Sequence, residues 1–163
     1  GKTTLITKVL PRLIERGCRV STLKHAHHGF DLDQPGKDSF MHRTAGATEV
    51  VISSARRFAI LHELREEPEW DLPALLEKFA PVDLVLVEGF KREPHRKIEV
   101  HRAANEKALL FPDDPGIVGI ATDTAVETTL PTAHLDDIAA VAAMMLKSAI
   151  SIEDVLAKCE AEG

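Results

Sequence analysis

Two runs of large aliphatic residues constrain the fold more than any other feature of this sequence. Residues 82–87 read Val-Asp-Leu-Val-Leu-Val, and residues 117–121 read Ile-Val-Gly-Ile-Ala. Short apolar runs without regular polar alternation are typical of strands that are buried on both faces, as in a parallel sheet. We therefore expect both segments to be interior strands of an α/β protein.

Helical and extended patterns alternate along the rest of the chain, and we find no internal repeat. Residues 27–37 are rich in Gly, Pro and Asp and are predicted to form a loop. The predicted helices span residues 3–17, 38–47, 71–79, 136–147 and 151–162, and the other predicted strands span residues 19–25, 49–53, 57–62 and 97–102. The strands at 49–53 and 57–62 are close enough to form a short antiparallel hairpin. The pattern predicts a mostly parallel sheet flanked by helices, in a single domain over residues 1–163.

The segment Gly1-Lys2-Thr3-Thr4 directly precedes an amphipathic helical pattern. It matches the second half of the phosphate-binding loop G-x-x-x-x-G-K-[ST]. Glycine lets backbone N–H groups approach phosphate oxygens, lysine adds a positive charge, and the threonine hydroxyl binds Mg²⁺. The partially positive N-terminal end of the helix faces the same phosphate group. The segment therefore predicts a fold of the P-loop NTPase type, the alternative being a helix start with an incidental lysine.

A phosphate-binding loop of this kind normally follows a central strand of the sheet. We therefore expect roughly ten or more further residues upstream of Gly1, comprising a strand and the first half of the motif. Without that strand the sheet would contain a gap next to the phosphate loop.

Two carboxylates follow the apolar runs. Glu88 comes directly after residues 82–87, and Asp123 closes the segment Ile120-Ala121-Thr122-Asp123. Parallel sheets present ligand-binding groups at the carboxyl ends of their strands. Glu88 is expected to hold Mg²⁺ or position an attacking water, because a phosphate loop requires such a partner; the alternative is a solvated strand end. Asp123 either accepts hydrogen bonds from guanine or caps a turn.

The segment Lys24-His25-Ala26-His27-His28 leaves two interpretations open. In an extended chain His25 and His27 point to the same side, which would suit a zinc site. No cysteine or third histidine stands at a clear ligand spacing, so hydrogen bonding near a nucleotide or a partner is at least as well supported.

Composition excludes several classes of function. The formal net charge is −6 and no long basic run is present, which argues against a nucleic-acid partner. The sequence has no apolar run long enough to span a membrane. Its two cysteines, Cys18 and Cys159, lie far apart, which is typical of a protein of the reducing cytoplasm.

In their order along the chain, these segments resemble the MobB family of molybdopterin-guanine dinucleotide biosynthesis adapter proteins. The match covers the chain to about residue 146. The matching segments are Gly1-Lys2-Thr3-Thr4-Leu5, Lys24-His25-Ala26-His27-His28, Pro35-Gly36-Lys37-Asp38-Ser39, Arg43-Thr44-Ala45-Gly46-Ala47, residues 83–91, Lys97-Ile98-Glu99 and residues 120–123.

The resemblance implies an accessory protein that binds GTP and Mg²⁺, forms a homodimer, and acts beside the enzyme that attaches GMP to molybdopterin. It implies at most slow, Mg²⁺-dependent GTP hydrolysis, for which Lys2 and Glu88 would be the catalytic residues. Thr3 and Glu88 would bind Mg²⁺. The residues that would bind the nucleotide or pterin are Gly1, Lys2, Thr3, Thr4, His25, His28, Asp38, Lys91 and Asp123.

Two other classes of function remain as alternatives. One is a small-molecule kinase, for which the basic stretch at residues 92–97 is the best candidate lid. The other is a metal-delivery GTPase that uses His25, His27 and His28. The sequence shows no obvious arginine finger near the phosphate loop, so rapid hydrolysis is not expected without a partner.

Overall fold

The computed structural model of the protein describes residues 1–26 and 29–162. The helices in these residues are α1 (Lys2–Glu15), α2 (Asp38–Thr44), α3 (Leu72–Leu76), α4 (Ile138–Ser148) and α5 (Ile152–Glu162), with a 3₁₀ turn at Ala103–Asn105. The strands are β1 (Val20–Lys24), β2 (Glu49–Ser53), β3 (Phe58–His62), β4 (Leu84–Glu88), β5 (Lys97–His101), β6 (Ile117–Thr122) and β7 (Thr132–His134). In the described part of the chain, no helix is both long and apolar enough to cross a membrane.

Every predicted helix and strand is present, with ends that differ by a few residues. Sequence analysis missed β7, because three residues are too few to show a period of two. Gly17 follows α1 with φ of +86°, a left-handed conformation that ends the helix, and the N–H of Cys18 donates to the carbonyl of Leu13. The hydroxyl oxygen of Ser151 accepts the N–H of Asp154 and so caps α5.

The chain divides into two compact units. The first comprises Gly1–His25 and Leu72–Gly163, and the second comprises Ala26–Asp71. The single domain expected from the sequence stays a prediction.

The first unit contains two parallel sheets. One pairs β1 with β4 in a register that places Lys24 opposite Glu88. The other has the order β5-β6-β7, with both pairs parallel. The mostly parallel α/β fold predicted from the sequence is therefore confirmed.

The two apolar runs differ in burial. Strand β6 is buried along nearly its whole length, as predicted, whereas every residue of β4 is half-buried. The prediction that residues 82–87 are buried on both faces was therefore wrong. The reason is geometric: among the described strands β4 pairs only with β1, and a cavity of about 760 Å³ separates β4 from β5. The expected strand upstream of Gly1 stays a prediction.

The main core of the first unit lies between α1, α4 and β6. Helix α1 contributes Val9 and Leu13 from its apolar stripe, and both are fully buried. They pack in one cluster with Ala121 of β6 and Val141 of α4. Burial of one such side chain contributes about 1.5–3 kcal/mol, so this cluster holds α1 firmly against the unit.

The second unit contains α2 and an antiparallel hairpin of β2 and β3, in which Val51 lies opposite Ile60. The hairpin predicted from the sequence is therefore confirmed. The guanidinium of Arg43 connects α2 to the rest of this unit. It donates to Glu63 at 2.7 Å and to both oxygens of Asp31 at 2.9 Å.

Candidate functional site

The start of α1 offers backbone donors to an anion. The first N–H groups of an α-helix have no carbonyl partner within the helix, and here the first bond within α1 runs from Leu5 N–H to the carbonyl of Gly1. No acidic residue occupies the first turn, and Lys2, Thr3 and Thr4 are all exposed. The partial positive charge of the helix end is therefore available to a phosphate group.

Thr3 and Glu88 meet at this helix start, although they are 85 positions apart in the sequence. The Thr3 hydroxyl donates to the Glu88 carboxylate, with Oγ1 at 3.2 Å from Oε1 and 3.3 Å from Oε2. Glu88 is the last residue of β4 and Thr3 lies in the first turn of α1. These oxygen donors suit Mg²⁺, which is commonly bound by one or two carboxylates together with a ligand's phosphates.

The turn after β4 packs tightly against the end of β1. Gly89 has φ of +115°, and a Cβ at this position would lie 2.6 Å from the Cβ of His25. Only glycine fits both the conformation and the space. The His25 N–H donates to the Glu88 carbonyl at 2.8 Å, and the His25 ring stacks on Phe90 with centroids 4.7 Å apart. The two strand ends are thereby held together beside Thr3.

Lys2 and Lys91 line the same cavity as Glu88, so two cations and the carboxylate border one space within the first unit. The Lys91 side chain is exposed. The structure therefore brings together four of the residues singled out from the sequence: Lys2, Thr3, Glu88 and Lys91. It also places His25 directly against the turn that carries Glu88 and Lys91.

Asp123 has a different environment. Its carboxylate accepts the N–H of Ala103 at 2.9 Å and lies 3.7 Å from the guanidinium of Arg102. The backbone hydrogen bond from Ala103 is the main reason that the pKa of Asp123 is lowered. These contacts are those of the turn cap considered from the sequence, while contact with guanine stays a prediction.

Other residues proposed from the sequence are not tested by the structure. Asp38 begins α2 in the second unit, where it is exposed. His27 and His28 lie outside the described residues. Within residues 1–26 and 29–162 there is no group of three or more His, Cys, Asp or Glu side chains that could hold a metal ion.

Two residues of β5 are anchors that were not predicted as such: Lys97 was considered only as part of the candidate kinase lid at residues 92–97, and Glu99 was given no role. Glu99 is buried, and its carboxylate accepts the N–H groups of Leu110 and Phe111 at 2.8 and 2.9 Å. Lys97 makes comparable contacts with the loop that follows β4. The sequence signal that could have indicated these anchors was a charged residue on each side of Ile98 in a predicted strand. Charged side chains in a strand are rarely buried without partners, so such residues are expected to make specific contacts.

The fold and the site define a class: an α/β protein with mostly parallel strands, in which a Gly-Lys-Thr helix start meets a carboxylate at a strand end. Residues 1–123 match the family model described as MobB, molybdopterin guanine dinucleotide synthesis protein B. The chain belongs to this family.

Relatives of known name agree with this assignment. The chain is 37% identical over 141 residues to the molybdopterin-guanine dinucleotide biosynthesis adapter protein of Escherichia coli (strain K12), covering 85% of this chain and 81% of the relative. It is 41% identical over 128 residues to the adapter protein of the same name from Haemophilus influenzae, covering 78% of this chain and 71% of the relative.

Solved structures show the same fold. A crystal structure of molybdopterin-guanine biosynthesis protein B superimposes with a TM-score of 0.70 at 29% identity, covering 90% of this chain and 91% of that one. The crystal structure of Bacillus subtilis MobB gives a TM-score of 0.69 at 26% identity, covering 93% and 92%. These comparisons give no support to the kinase or to the metal-delivery GTPase considered from the sequence.

Proposed function

We propose that this MobB-family adapter protein of molybdopterin guanine dinucleotide biosynthesis binds GTP together with Mg²⁺ at the start of α1. The contact between the Thr3 hydroxyl and the Glu88 carboxylate carries the proposal. It places two oxygen ligands for a divalent cation beside the exposed N–H groups of a helix start. A triphosphate and its cation need both features in one place.

The residues of the site divide into three roles. The backbone N–H groups of residues 1–4 hold the phosphates, and Lys2 and Lys91 neutralise their charge. Thr3 and Glu88 hold Mg²⁺, which supplies charge neutralisation at the phosphate oxygens when it is bound. His25 supports the turn that carries Glu88 and Lys91.

Hydrolysis of GTP is expected to be slow. We assign the stabilisation of the terminal phosphate to Lys2 and the orientation of a water molecule to Glu88. Rapid phosphoryl transfer usually needs a further cation, such as an arginine finger from a partner. We propose that GTP binding serves the adapter role beside the GMP-attaching enzyme, in the reducing cytoplasm where Cys18 and Cys159 stay reduced.

Calorimetric titration of the full-length protein with GTP and with ATP, with and without Mg²⁺, tests the nucleotide proposal. We expect GTP to bind more tightly than ATP and Mg²⁺ to increase the affinity. Lys2→Ala should weaken GTP binding by about tenfold or more, corresponding to ~1.4 kcal/mol. Lys8→Ala is the matched control, because Lys8 is an exposed lysine of the same helix. Absence of Mg²⁺-dependent GTP binding by the unmodified protein would overturn the proposal.

We further propose that the protein acts as a homodimer that uses one face of the β2–β3 hairpin. Val51, Phe58 and Ile60 lie on the same face of the hairpin, because Val51 is opposite Ile60 and side chains alternate along each strand. They are 59%, 70% and 54% exposed, respectively. A continuous apolar surface of this kind commonly marks a protein–protein contact, and the homodimer implied by the family resemblance supplies the partner.

Sedimentation equilibrium tests the homodimer. Ile60→Glu should shift the protein towards the monomer, because a charge on this face would be buried without a partner at the interface. Arg56→Glu also introduces an acidic residue, but at the exposed turn of the hairpin, and should leave the dimer intact. A monomeric unmodified protein, or equal behaviour of the two variants, would contradict this assignment of the interface.

A further inference from the structure

The loop between β4 and β5, residues 89–96, is the element that carries Lys91 to the site. It begins with two residues of positive φ, Gly89 at +115° and Phe90 at +49°. The second is unfavourable for a residue with a bulky side chain, so surrounding contacts must hold the loop in this conformation. The Phe90 ring is held from one side by its stacking on His25.

The side chain of Lys97 holds the same loop from the other end. Its Nζ donates to the carbonyl of Lys91 at 3.2 Å and to the carbonyl of Glu93 at 2.9 Å, and it lies 3.1 Å from the Asp114 carboxylate. A lysine ammonium has three donors, and these three acceptors use all of them. The Lys97 side chain is only 16% exposed, so the contacts are largely shielded from water.

Asp114 and Gly116, before β6, complete the surroundings of this ammonium. The Gly116 N–H donates to Asp114 Oδ1 at 2.9 Å, which orients the carboxylate, and the Lys97 N–H donates to the Gly116 carbonyl at 2.8 Å. A Cβ on Gly116 would lie 2.9 Å from both the Lys97 Nζ and the Asp114 Oδ1. The space at this position is therefore taken up by the ion pair. Breaking a shielded pair of this kind is costly, because one charge is left uncompensated.

We propose that Lys97 is a positioning residue of the nucleotide site. Its ammonium, paired with Asp114, holds the β4–β5 loop in the conformation that keeps Lys91 on the cavity shared with Lys2 and Glu88. Lys97 also lines this cavity, but the carbonyls of Lys91 and Glu93 and the Asp114 carboxylate use its three donors, so it acts through Lys91 rather than on the nucleotide. This inference rests on the proposed binding of GTP at the start of α1, whereas the hold on the loop does not depend on any ligand.

Limited trypsin digestion followed by mass spectrometry tests the hold on the loop without a ligand. Lys91 and Arg92 are tryptic sites within the loop. Lys97→Met preserves the length of the side chain but removes the ammonium, and it should speed cleavage after residues 91 and 92 by about tenfold, because the loop opens more often. Lys147→Met, at an exposed lysine of α4, is the matched control and should leave the rate unchanged. Equal rates for Lys97→Met and the unmodified protein would overturn the proposal.

Titration of the full-length protein with GTP tests the consequence for binding. Lys97→Met should weaken GTP binding by about tenfold in the unmodified background but by less than about twofold when Lys91 is already Ala, because residues that act as a unit are not additive. A simple loss of stability would lower affinity equally in both backgrounds, so additive effects would overturn the proposal.

Asp114→Asn distinguishes positioning from direct electrostatic attraction by the sign of its effect. If Lys97 holds the loop with the help of Asp114, this variant weakens GTP binding. If Lys97 merely attracts phosphate at a distance, removing a nearby negative charge strengthens binding, and that result would contradict the proposal. If the unmodified protein binds no GTP, the proposed function fails and the positioning role fails with it, while the digestion still decides whether Lys97 holds the loop.

Discussion

Strands β4 and β6 have similar apolar sequences, yet their surroundings differ. The carboxylate residue Glu88 ends β4, and Asp123 directly follows β6. Ile120 and Ala121 of β6 are fully buried between two neighbouring strands and α4, whereas the residues of β4 are half-buried beside a cavity. The carboxylate of Asp123, directly after β6, accepts the N–H of Ala103 and pairs with the guanidinium of Arg102. At the end of β4, Glu88 contacts Thr3 of the helix start.

The difference separates a supporting strand from a strand that bears the site. A carboxylate that already caps a turn and pairs with arginine has little capacity left for a ligand. A carboxylate that meets a threonine hydroxyl at a helix start can bind a cation with little rearrangement. Burial of β6 therefore serves stability, and the carboxylate at the end of β4 is available to a ligand. Three predictions test this comparison, from the largest expected effect to the smallest.

Shortening one aliphatic side chain in each strand should change the free energy of unfolding by very different amounts, and this is the largest effect we expect. Ile120→Ala in β6 should lower the free energy of unfolding by about 3–5 kcal/mol, because it leaves a cavity in a fully packed core. Leu86→Ala in β4 should cost only about 1–2 kcal/mol, since that side chain is half-buried. Urea denaturation of both variants measures the two losses. Equal losses would mean that β4 is packed as fully as β6 in solution.

Glu88→Gln should affect ligand binding rather than folding. The amide keeps the shape of the side chain but removes the negative charge that attracts Mg²⁺. We expect the increase in GTP affinity on adding Mg²⁺ to fall by about tenfold, with little change in the urea midpoint. Calorimetry at several Mg²⁺ concentrations gives the measurement, and Glu66→Gln, at an exposed residue of the second unit, provides a control that also removes one carboxylate. An undiminished Mg²⁺ effect would remove Glu88 from the cation site.

Asp123→Asn should affect folding rather than ligand binding, and its effect should be smaller. The pKa of Asp123 is lowered in the folded state, so its ionised form stabilises the fold above the unfolded pKa, and this contribution is lost as pH falls through the folded pKa. The variant should therefore be less stable than the unmodified protein at neutral pH, and the two should converge in acid. Thermal unfolding between neutral and acidic pH measures this. A selective loss of GTP over ATP binding would instead show that Asp123 leaves the turn to contact guanine.

Much of the fold could be predicted from local patterns. The helical stripe of α1, the hairpin signal between β2 and β3, the end of α1 at Gly17 and the start of α5 at Ser151 all depend on near neighbours in the sequence, so their positions were predicted to within a few residues. Glu88 was correctly placed at the end of a strand for the same reason. The phosphate-loop motif assigned Thr3 and Glu88 to one Mg²⁺ ion, and the hydrogen bond between them was seen only in the structure.

The sequence by itself determined which segments form helices and strands, that the strands are mostly parallel, that Gly1-Lys2-Thr3 lies at the start of a helix, and that Glu88 ends a strand. Only the tertiary structure decided which apolar strand is buried, which carboxylate is already occupied, and that Lys97 reaches back to the loop of Lys91. The physical reason is that periodicity reports the local conformation of the chain. Burial and hydrogen-bond partners depend on strand order and loop paths, which bring together residues far apart in the sequence.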